Sequence, residues 1–263
     1  MLDHLASFSL EGADARVFAQ SQFTVSIDTL SRDCWKPLAW CEPKGRVVSF
    51  MMSRSSENGV DLVLPASQAD DVTRRLAQFT IGRSVEITPL APVAGCFNPG
   101  DDMPGLAPDA DRGMIAGTEA PADADSQRRW QALDICQGLP WLEPPSSGQH
   151  LPQWLGLERL GALAYDKGCY PGQEVIARLH YRGSVKHRLA GLRLNSNPGV
   201  AAHARVTDEQ GAGVGHWLSG LAHAGVTIGL AVVSTRIHNG DTVLLNDGDH
   251  GTSAKVTPPE TLC

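Results

Sequence analysis

The chain has 263 residues, of which 42% are hydrophobic and 19% are charged. This composition is typical of a globular protein and excludes a largely disordered chain, a collagen and a coiled coil. With 22 basic and 29 acidic residues the formal net charge is −7, so the protein is not built throughout to bind nucleic acid. No apolar run reaches the roughly 18 residues of a membrane span. The first residues lack a basic start followed by an apolar stretch, so we expect a cytoplasmic protein without a membrane partner.

Residues 1–93 show the alternation of short strands and helices that is typical of an α+β fold. Asn58-Gly59 is a strong turn signal between two strand-like runs and predicts a β-hairpin. Ser67 is predicted to cap the helix that follows. The predicted elements are, in order, an extended segment at 8–10, a helix at 13–21, strands at 47–52 and 60–64, a helix at 68–79 and an extended segment at 85–93.

Residues 98–125 differ in composition from the rest of the chain. They contain four prolines, seven acidic residues and no aromatic residue, which predicts a linker or surface loop and not a core element. Most of the net negative charge lies between residues 101 and 125, where Arg112 is the single basic residue. A helix at 126–137 and a Pro-rich loop at 140–152 are predicted to follow.

The pattern changes again after residue 184. Six short strand-like runs are separated by turn signals such as Asn-Pro-Gly and Asn-Gly, and this spacing predicts a small antiparallel barrel or sandwich. The predicted strands cover 185–194, 200–207, 213–219, 226–234, 241–246 and 252–257. We therefore expect two domains, an α+β domain over 1–184 and a β-barrel over 185–258.

The six cysteines do not form a metal-binding pattern. None is in a C-x-x-C pair, and none stands at zinc-finger spacing from a histidine. In a cytoplasmic protein we expect them to be reduced thiols, and most of them to be small buried side chains. The sequence therefore predicts no resident metal.

The segment 167–174, which reads K-G-C-Y-P-G-Q-E, combines a tight turn with a helix start. Its two glycines and its proline predict the turn, and the residues from Gln173 onward have helical character. Cys169 is predicted to lie just before a helix N-terminus and two residues from Lys167, which favours its thiolate. We expect a reactive or ligand-forming cysteine, and the alternative is a buried structural cysteine in a turn.

A basic run without any acidic residue follows at 178–188. Arg178 and Arg182 are four positions apart, so on a helix they fall on one face. Such a patch suits a carboxylate, a phosphate or an RNA backbone, and the alternative is a solvated helix face. Lys186 and Arg188 complete the run.

The string K-G-C-Y-P-G-Q-E-V-I-A-R at 167–178 resembles the K-G-C-Y-x-G-Q-E signature of the YgfZ family. These are folate-binding proteins related to the T-protein (aminomethyltransferase) of the glycine cleavage system. Further resemblances occur in the family's order at 12–22, at the C-E-P-K-G-R turn 41–46, at 147–153 and at 182–188. The match extends in patches over most of the chain.

The resemblance implies a T-protein-like folate-binding α+β domain, shortened around the loop 98–125, followed by a C-terminal antiparallel β-barrel. It also implies a protein that binds tetrahydrofolate or a derivative, supports the assembly or repair of iron–sulfur clusters, and thereby supports tRNA modification. The implied partners are folate and, transiently, iron–sulfur proteins or cluster carriers. We expect no direct DNA binding and a monomer.

The resemblance also implies site residues. Cys169 and Lys167 are the predicted reactive pair. The T-protein relatives hydrogen-bond the pterin with a glutamate at the position where this chain has Cys136, and Asp134 is the predicted substitute. The predicted cofactor-binding residues are Tyr170, Gly172, Gln173, Glu174, Asp134, Arg178 and Arg182, of which the two arginines bind the glutamate tail of folate. No residue is predicted to bind a metal.

Two other functions compete with this interpretation. The first is a folate-dependent one-carbon transferase of the aminomethyltransferase type. T-protein relatives catalyse with an aspartate, and residues 41–52 contain no match to it, which counts against this function. The second is an RNA-binding or scaffolding module that uses residues 178–188. The net charge and the absence of interleaved aromatic residues count against this second function.

Overall fold

The computed structural model of the protein describes residues 1–100, 103–107, 109–196, 199, 201–223, 225–247 and 250–263. The chain divides into two compact units. The first contains residues 1–123, 147–152 and 157–178, and the second contains residues 124–146, 153–156 and 179–263. The sequence predicted a single boundary near residue 184, whereas in the structure 124–146 and 153–156 group with the barrel.

One mixed sheet forms the framework of the first unit. Its strands are β1 (Leu5–Glu11), β2 (Cys34–Cys41), β3 (Val47–Ser55), β4 (Gly59–Pro65), β5 (Glu86–Ile87), β6 (Val93–Phe97), β7 (Gly105–Leu106) and β8 (Asp109–Ala116), and its helices are α1 (Ala15–Gln22) and α2 (Ala66–Ala77). The strand order is β5-β1-β4-β3-β2-β7-β8-β6. All neighbouring strands are antiparallel except β2 and β7, which are parallel.

The apolar core of the first unit is formed by the sheet and the two helices. Helix α1 contributes Phe18, and helix α2 contributes Val72 and Leu76. They pack with Leu10 and Leu62 of the sheet, and all five side chains are almost completely buried. Burying one such side chain contributes about 1.5–3 kcal/mol, so this cluster is a main source of stability in the unit.

The elements predicted for residues 1–93 are present with shifted ends. The hairpin is formed by β3 and β4, and both helices are found. The predicted cap is wrong, because α2 begins at Ala66 after Pro65 and Ser67 lies inside its first turn. Strand β2 was not predicted, since its sequence C-W-K-P-L-A-W-C lacks a regular alternation of polar and apolar residues.

The prediction that residues 98–125 lie outside the core is wrong for part of the segment. Strands β7 and β8 lie within it and connect β2 to β6 in the sheet. Met114 on β8 is fully buried, and its carbonyl accepts a hydrogen bond of 2.8 Å from Trp35 Nε1. Arg112 is also buried and donates to Asp109 over 2.8 Å. The acidic composition misled the prediction, because the charge of Asp109 is paired with that of Arg112 inside the strand. Asp101 and Asp102 lie outside the described residues.

The second unit contains a closed antiparallel barrel, as predicted. Its elements are the helix α3 (Ala124–Gln137) and the strands β9 (His187–Leu194), β10 (Arg205–Thr207), β11 (Gly213–His223), β12 (Val226–Ser234), β13 (Thr242–Asp247) and β14 (His250–Thr257). The strand order around the barrel is β10-β11-β12-β9-β14-β13. Helix α3 contacts β11 and β12, which explains why it groups with the barrel. Residues 197 and 198 of the predicted Asn-Pro-Gly turn, residue 200 of the predicted strand 200–207 and residue 248 of a predicted Asp-Gly turn lie outside the described residues.

Helix α4 (Gln173–Arg182) follows the K-G-C-Y segment at the predicted position. The α+β class with a C-terminal antiparallel barrel is thereby confirmed. Within the described ranges, no helix has the length and apolar character that a membrane crossing requires.

A disulfide joins Cys136 of α3 to Cys263, whose Cα atoms are 6.0 Å apart. The expectation of reduced thiols is therefore wrong for this pair. The other four cysteines are free, namely Cys34, Cys41, Cys96 and Cys169. The pair is 127 residues apart in the sequence, and spacing rules detect only local cysteine patterns.

We expect four free thiols per chain when the unreduced, denatured protein is titrated with a thiol-reactive dye. A disulfide across a long loop restricts the unfolded chain, so Cys263→Ser should lower the free energy of unfolding by about 2–4 kcal/mol. Cys34→Ser, which removes a free thiol, is the control and should cost clearly less. Six titratable thiols, or equal losses in the two variants, would contradict the pairing.

Candidate functional site

The turn that carries Cys169, residues 167–172, lies against a second turn of the same unit, residues 42–46. We call residues 167–172 the Cys169 turn. The 42–46 turn is closed by two hydrogen bonds, from the Glu42 N–H to the Arg46 carbonyl (2.9 Å) and from the Gly45 N–H to the Glu42 carbonyl (2.8 Å). In the sequence the two turns are separate motifs, more than 120 residues apart. In the structure they form one site.

Two glycines make the contact between the turns. Gly45 has φ +76° and Gly172 has φ +81°, a backbone region that residues with a Cβ rarely adopt. A Cβ on Gly172 would lie 2.5 Å from Gly45 Cα and 2.6 Å from the Glu42 carbonyl oxygen. The two backbones therefore touch, and Gly172 has no room for a side chain, while a Cβ on Gly45 would lie 3.1 Å from Val175 Cβ.

Lys167 attaches the beginning of the Cys169 turn to the rest of the first unit through hydrogen bonds. Its Nζ donates to the carbonyls of Phe23 and Val25 at 2.6 and 2.7 Å, and it lies 5.2 Å from the centre of the Tyr170 ring. Burial lowers the pKa of Lys167 to about 8, while the two carbonyls favour its charged form. Lys167 is thus protonated at pH 7, and its ammonium group donates hydrogen bonds to the backbone of the first unit.

Tyr170 is buried beneath the turn with 6% of its surface exposed. Among the described residues its hydroxyl has no hydrogen-bond partner. Burial raises the pKa of this hydroxyl, and the neighbouring Cys41 raises it further. Burial and the charge of Glu42 likewise raise the pKa of the Cys41 thiol. Both groups stay protonated at neutral pH, so Cys41 is not a candidate nucleophile.

Cys169 is the exposed member of the four free cysteines. The space next to it is open, since a Cβ on Gly168 would meet no atom within 4 Å. Helix α4 begins four residues later, and the Gln173 side chain donates to the Lys167 carbonyl over 3.3 Å. The exposed position excludes the alternative of a buried structural cysteine.

The other predicted site residues are only partly brought together. Glu174, Arg178 and Arg182 are exposed on α4. Asp134 lies in the second unit, is 2% exposed, and accepts a hydrogen bond of 2.9 Å from Trp141 Nε1.

A cavity of about 520 Å³ lies beside the Cys169 turn in the first unit. Its size falls within the roughly 300–1,000 Å³ of small-molecule and cofactor sites. Asp166, Lys167, Gln20 and Ser26 contribute polar groups to its wall. Asp166 was not predicted as a site residue, and its position directly before the signature is the one signal that the sequence offers.

Two further observations limit the choice of site. A larger cavity of about 850 Å³, near Gly12 and Ser84, is lined by none of the signature residues. In the part of the chain that the structure describes, there is no group of three or more His, Cys, Asp or Glu side chains that could hold a metal ion. We therefore take the Cys169 turn and its adjoining cavity as the candidate site.

Gly172→Ala is expected to lower the free energy of unfolding by at least about 1–3 kcal/mol. The new Cβ would be strained at positive φ and would clash with the 42–46 turn. Gly168→Ala is the matched control in the same turn and should change the free energy of unfolding by less than about 0.5 kcal/mol. Urea denaturation measures both. Equal effects would show that the turns do not touch.

The pKa of Lys167 predicts a pH dependence of stability. Because it is about 8 in the folded protein and 10.5 ordinarily, the folded state releases this proton first as the pH rises. The free energy of unfolding should therefore rise between pH 8 and pH 10.5 relative to Lys167→Met, and not below pH 8. Urea denaturation of both proteins at pH 7.5 and pH 10 tests this. A difference that is independent of pH would contradict the shift.

Comparison with known proteins identifies relatives that are named tRNA-modifying protein YgfZ. No protein-family model matches the chain. The tRNA-modifying protein YgfZ of Yersinia pseudotuberculosis serotype O:1b is 28% identical over 238 residues, which cover 76% of this chain and 72% of that protein. The protein of the same name from Shigella dysenteriae serotype 1 is 27% identical over 225 residues, covering 72% and 69%.

A solved structure has the same fold. The glycine cleavage system aminomethyltransferase T from Bartonella henselae matches with a TM-score of 0.67, covering 98% of this chain and 84% of its own. At 14% identity this likeness concerns the fold alone. The resemblance inferred from the signature is confirmed: the chain is a homologue of the tRNA-modifying proteins YgfZ and has the fold of aminomethyltransferase T.

Proposed function

We propose that the protein acts in tRNA modification, as a cytoplasmic accessory protein that supports iron–sulfur cluster proteins through the thiol of Cys169. Its relatives carry the name tRNA-modifying protein. The observation that carries the proposal is the exposed Cys169 on a turn that Gly172 and Lys167 hold from both sides. A thiol held in this way can reach a partner protein without a rearrangement of the fold.

The proposed contact with a cluster is transient. Iron–sulfur clusters are held by cysteine thiolates, usually four of them, and Cys169 offers one. The cluster is then the substrate, and its remaining ligands come from a cluster carrier or client protein. The chain itself holds no stoichiometric cluster or zinc in this proposal, which metal analysis of anaerobically purified protein checks.

We further propose that tetrahydrofolate or a derivative binds in the cavity beside Lys167. The position that the resemblance assigned to the pterin does not fit it, because Cys136 is in a disulfide and Asp134 accepts from Trp141. The cavity wall fits a pterin better. The Asp166 carboxylate can accept hydrogen bonds from the N–H groups of a pterin, and the Lys167 ammonium carries hydrogen-bond donors. Tetrahydrofolate supplies one-carbon chemistry when bound.

Within this proposal the signature residues have distinct roles. Tyr170 and Gly172 hold the turn against residues 42–46, and the same turn begins with Lys167 and Gly168 of the cavity wall. Gln173 fixes the turn through the Lys167 carbonyl. Glu174 is exposed at the start of α4 and is a candidate contact for the bound folate.

We expect Cys169 to be alkylated first among the four free cysteines. It is exposed, whereas Cys34 and Cys96 are partly buried and Cys41 is buried with a raised pKa. Reaction with iodoacetamide at neutral pH, followed by mapping of the labelled peptides, gives the order. Faster labelling of any other cysteine would contradict the assignment of Cys169 as the accessible thiol.

The proposed function is tested in cells that lack the endogenous protein. Cys169→Ser should fold normally and fail to restore tRNA modification, measured by mass spectrometry of digested tRNA. Cys34→Ser is the matched control and should restore it. Full restoration by Cys169→Ser would overturn the proposal, and turnover of an aminomethyl substrate without Cys169 would favour the transferase instead.

The arginines of α4 provide a test of folate binding. If they bind the glutamate tail, Arg182→Ala should weaken the affinity for polyglutamylated tetrahydrofolate about two- to fivefold, as expected for an exposed charge pair. The loss should shrink at high salt and be smaller for the monoglutamate. Calorimetric titration of both forms at two salt concentrations measures it. Equal losses for both forms would remove the tail-binding role.

A further inference from the structure

The outward face of the barrel carries a row of side chains that the proposed site does not use. The register places Arg205 of β10 opposite His216 of β11, and His216 opposite Val232 of β12. Side chains of paired residues project from the same face of a sheet. The adjacent residues Val206 and Trp217 belong to the barrel core, so His216 and Arg205 face outward.

Two pairs of aromatic rings lie along this face. The imidazoles of His203 and His216 are stacked, with centroids 4.2 Å apart and planes inclined by 5°. The imidazole of His187, the first residue of β9, lies against the Trp154 indole with centroids 4.5 Å apart. All four side chains are partly exposed. We call these four residues together with Arg205 the stacking face.

The backbone holds the imidazole pair in place. His203 has φ +68°, a left-handed conformation that few residues other than glycine adopt. Its N–H donates to the Trp217 carbonyl over 2.8 Å, which secures this conformation. A ligand that stacks on the pair therefore meets rings that are already ordered, and ordering them costs little on binding.

The imidazoles of the stacking face are neutral at neutral pH. Burial lowers the pKa of His187 and of His203. Burial lowers that of His216 as well, and the charges of His203, His187 and Arg205 lower it further. His187 pairs with Ser234, two residues along β12 from the Val232 that lies opposite His216, so the register places its ring on the same side of the barrel wall. Neutral flat rings are platforms on which any nucleobase can stack.

Arg205 brings a positive charge to the same face. Its side chain is exposed, and its guanidinium lies over Gly213, where a Cβ would come within 2.9 Å of Nη2. Guanidinium groups bind phosphate with paired hydrogen bonds. The face thus combines ring platforms with a phosphate-binding group.

We propose that the stacking face binds unpaired nucleotides of RNA, with bases stacked on its rings and a backbone phosphate on Arg205. This inference rests on the proposed function, because the RNA it would serve there is the tRNA whose modification the protein supports. Duplex RNA fits less well, since its bases are stacked on one another and are not available to side chains.

The net charge of −7 does not oppose this assignment. Seven of the acidic residues lie in the segment 101–125, which contributes no residue to the stacking face, so the net charge does not describe the face itself. The sequence showed no interleaving of aromatic and basic residues because Trp154, His187, His203 and His216 are far apart along the chain. The folding of the second unit brings His203 onto His216 and Trp154 onto His187.

Fluorescence anisotropy of the full chain with a labelled single-stranded RNA decamer, and with the same decamer in a duplex, tests the proposal at two salt concentrations. We expect tighter binding of the single strand. His216→Leu should weaken it about tenfold at pH 7.5 without changing its salt dependence, since a neutral ring is lost. His216→Phe, which keeps a flat ring, should retain most of the affinity.

Arg205→Ala should weaken binding and lower the slope of log affinity against log salt by about one, as for the loss of one phosphate contact. The matched controls are Arg193→Ala, an exposed arginine further along β9, and His238→Ala, an exposed histidine outside the face. Both should leave the affinity unchanged. Equal affinity for single strand and duplex, or unchanged binding in both His216→Leu and Arg205→Ala, would overturn the proposal.

The failure of this inference is distinguishable from failure of the proposed function. If Cys169→Ser abolishes tRNA modification while the stacking-face variants bind RNA like the wild type, the function stands and the face is not an RNA site. If RNA binding depends on the face while tRNA modification is independent of Cys169, the face is confirmed and the thiol function is wrong.

Discussion

The contact between the backbones at Gly45 and Gly172 determines where the signature residues lie. Because both glycines have positive φ and no Cβ, the two turns approach more closely than any other pair of residues would allow. Lys167 completes the attachment with its two bonds to backbone carbonyls. Cys169 lies in the chain between Lys167 and Gly172, the two residues that attach the turn, so its exposure follows from how these neighbours are held.

The same arrangement separates two roles that the sequence places side by side. The ammonium of Lys167 and the ring of Tyr170 lie inside the first unit, 5.2 Å apart, and Lys167 also borders the cavity. Cys169 is left at the surface. The structure therefore favours an exposed thiol on a turn that borders a cavity over a lysine–cysteine pair that reacts as a unit. This arrangement is consistent with a protein that presents its thiol to a partner.

Local signals predicted much of the fold and little of what depends on long-range contacts. Turn residues and short apolar runs revealed the barrel, and the K-G-C-Y-P-G segment revealed α4. Strand β8 was missed because Asp109 and Arg112 neutralise each other inside it. The disulfide of Cys136 and the neighbourhood of Asp166 depend on residues brought together only by folding, which no spacing rule describes.

Amide hydrogen exchange at the two turns tests the central claim, that they form one structural unit, most directly. The Gly45 and Ile176 N–H groups donate to the Glu42 and Gly172 carbonyls. If the turns support each other, both amides should be protected to the same degree in the wild type, and both should lose protection together in Gly172→Ala. Loss confined to the Cys169 turn, with Gly45 still protected, would contradict the account.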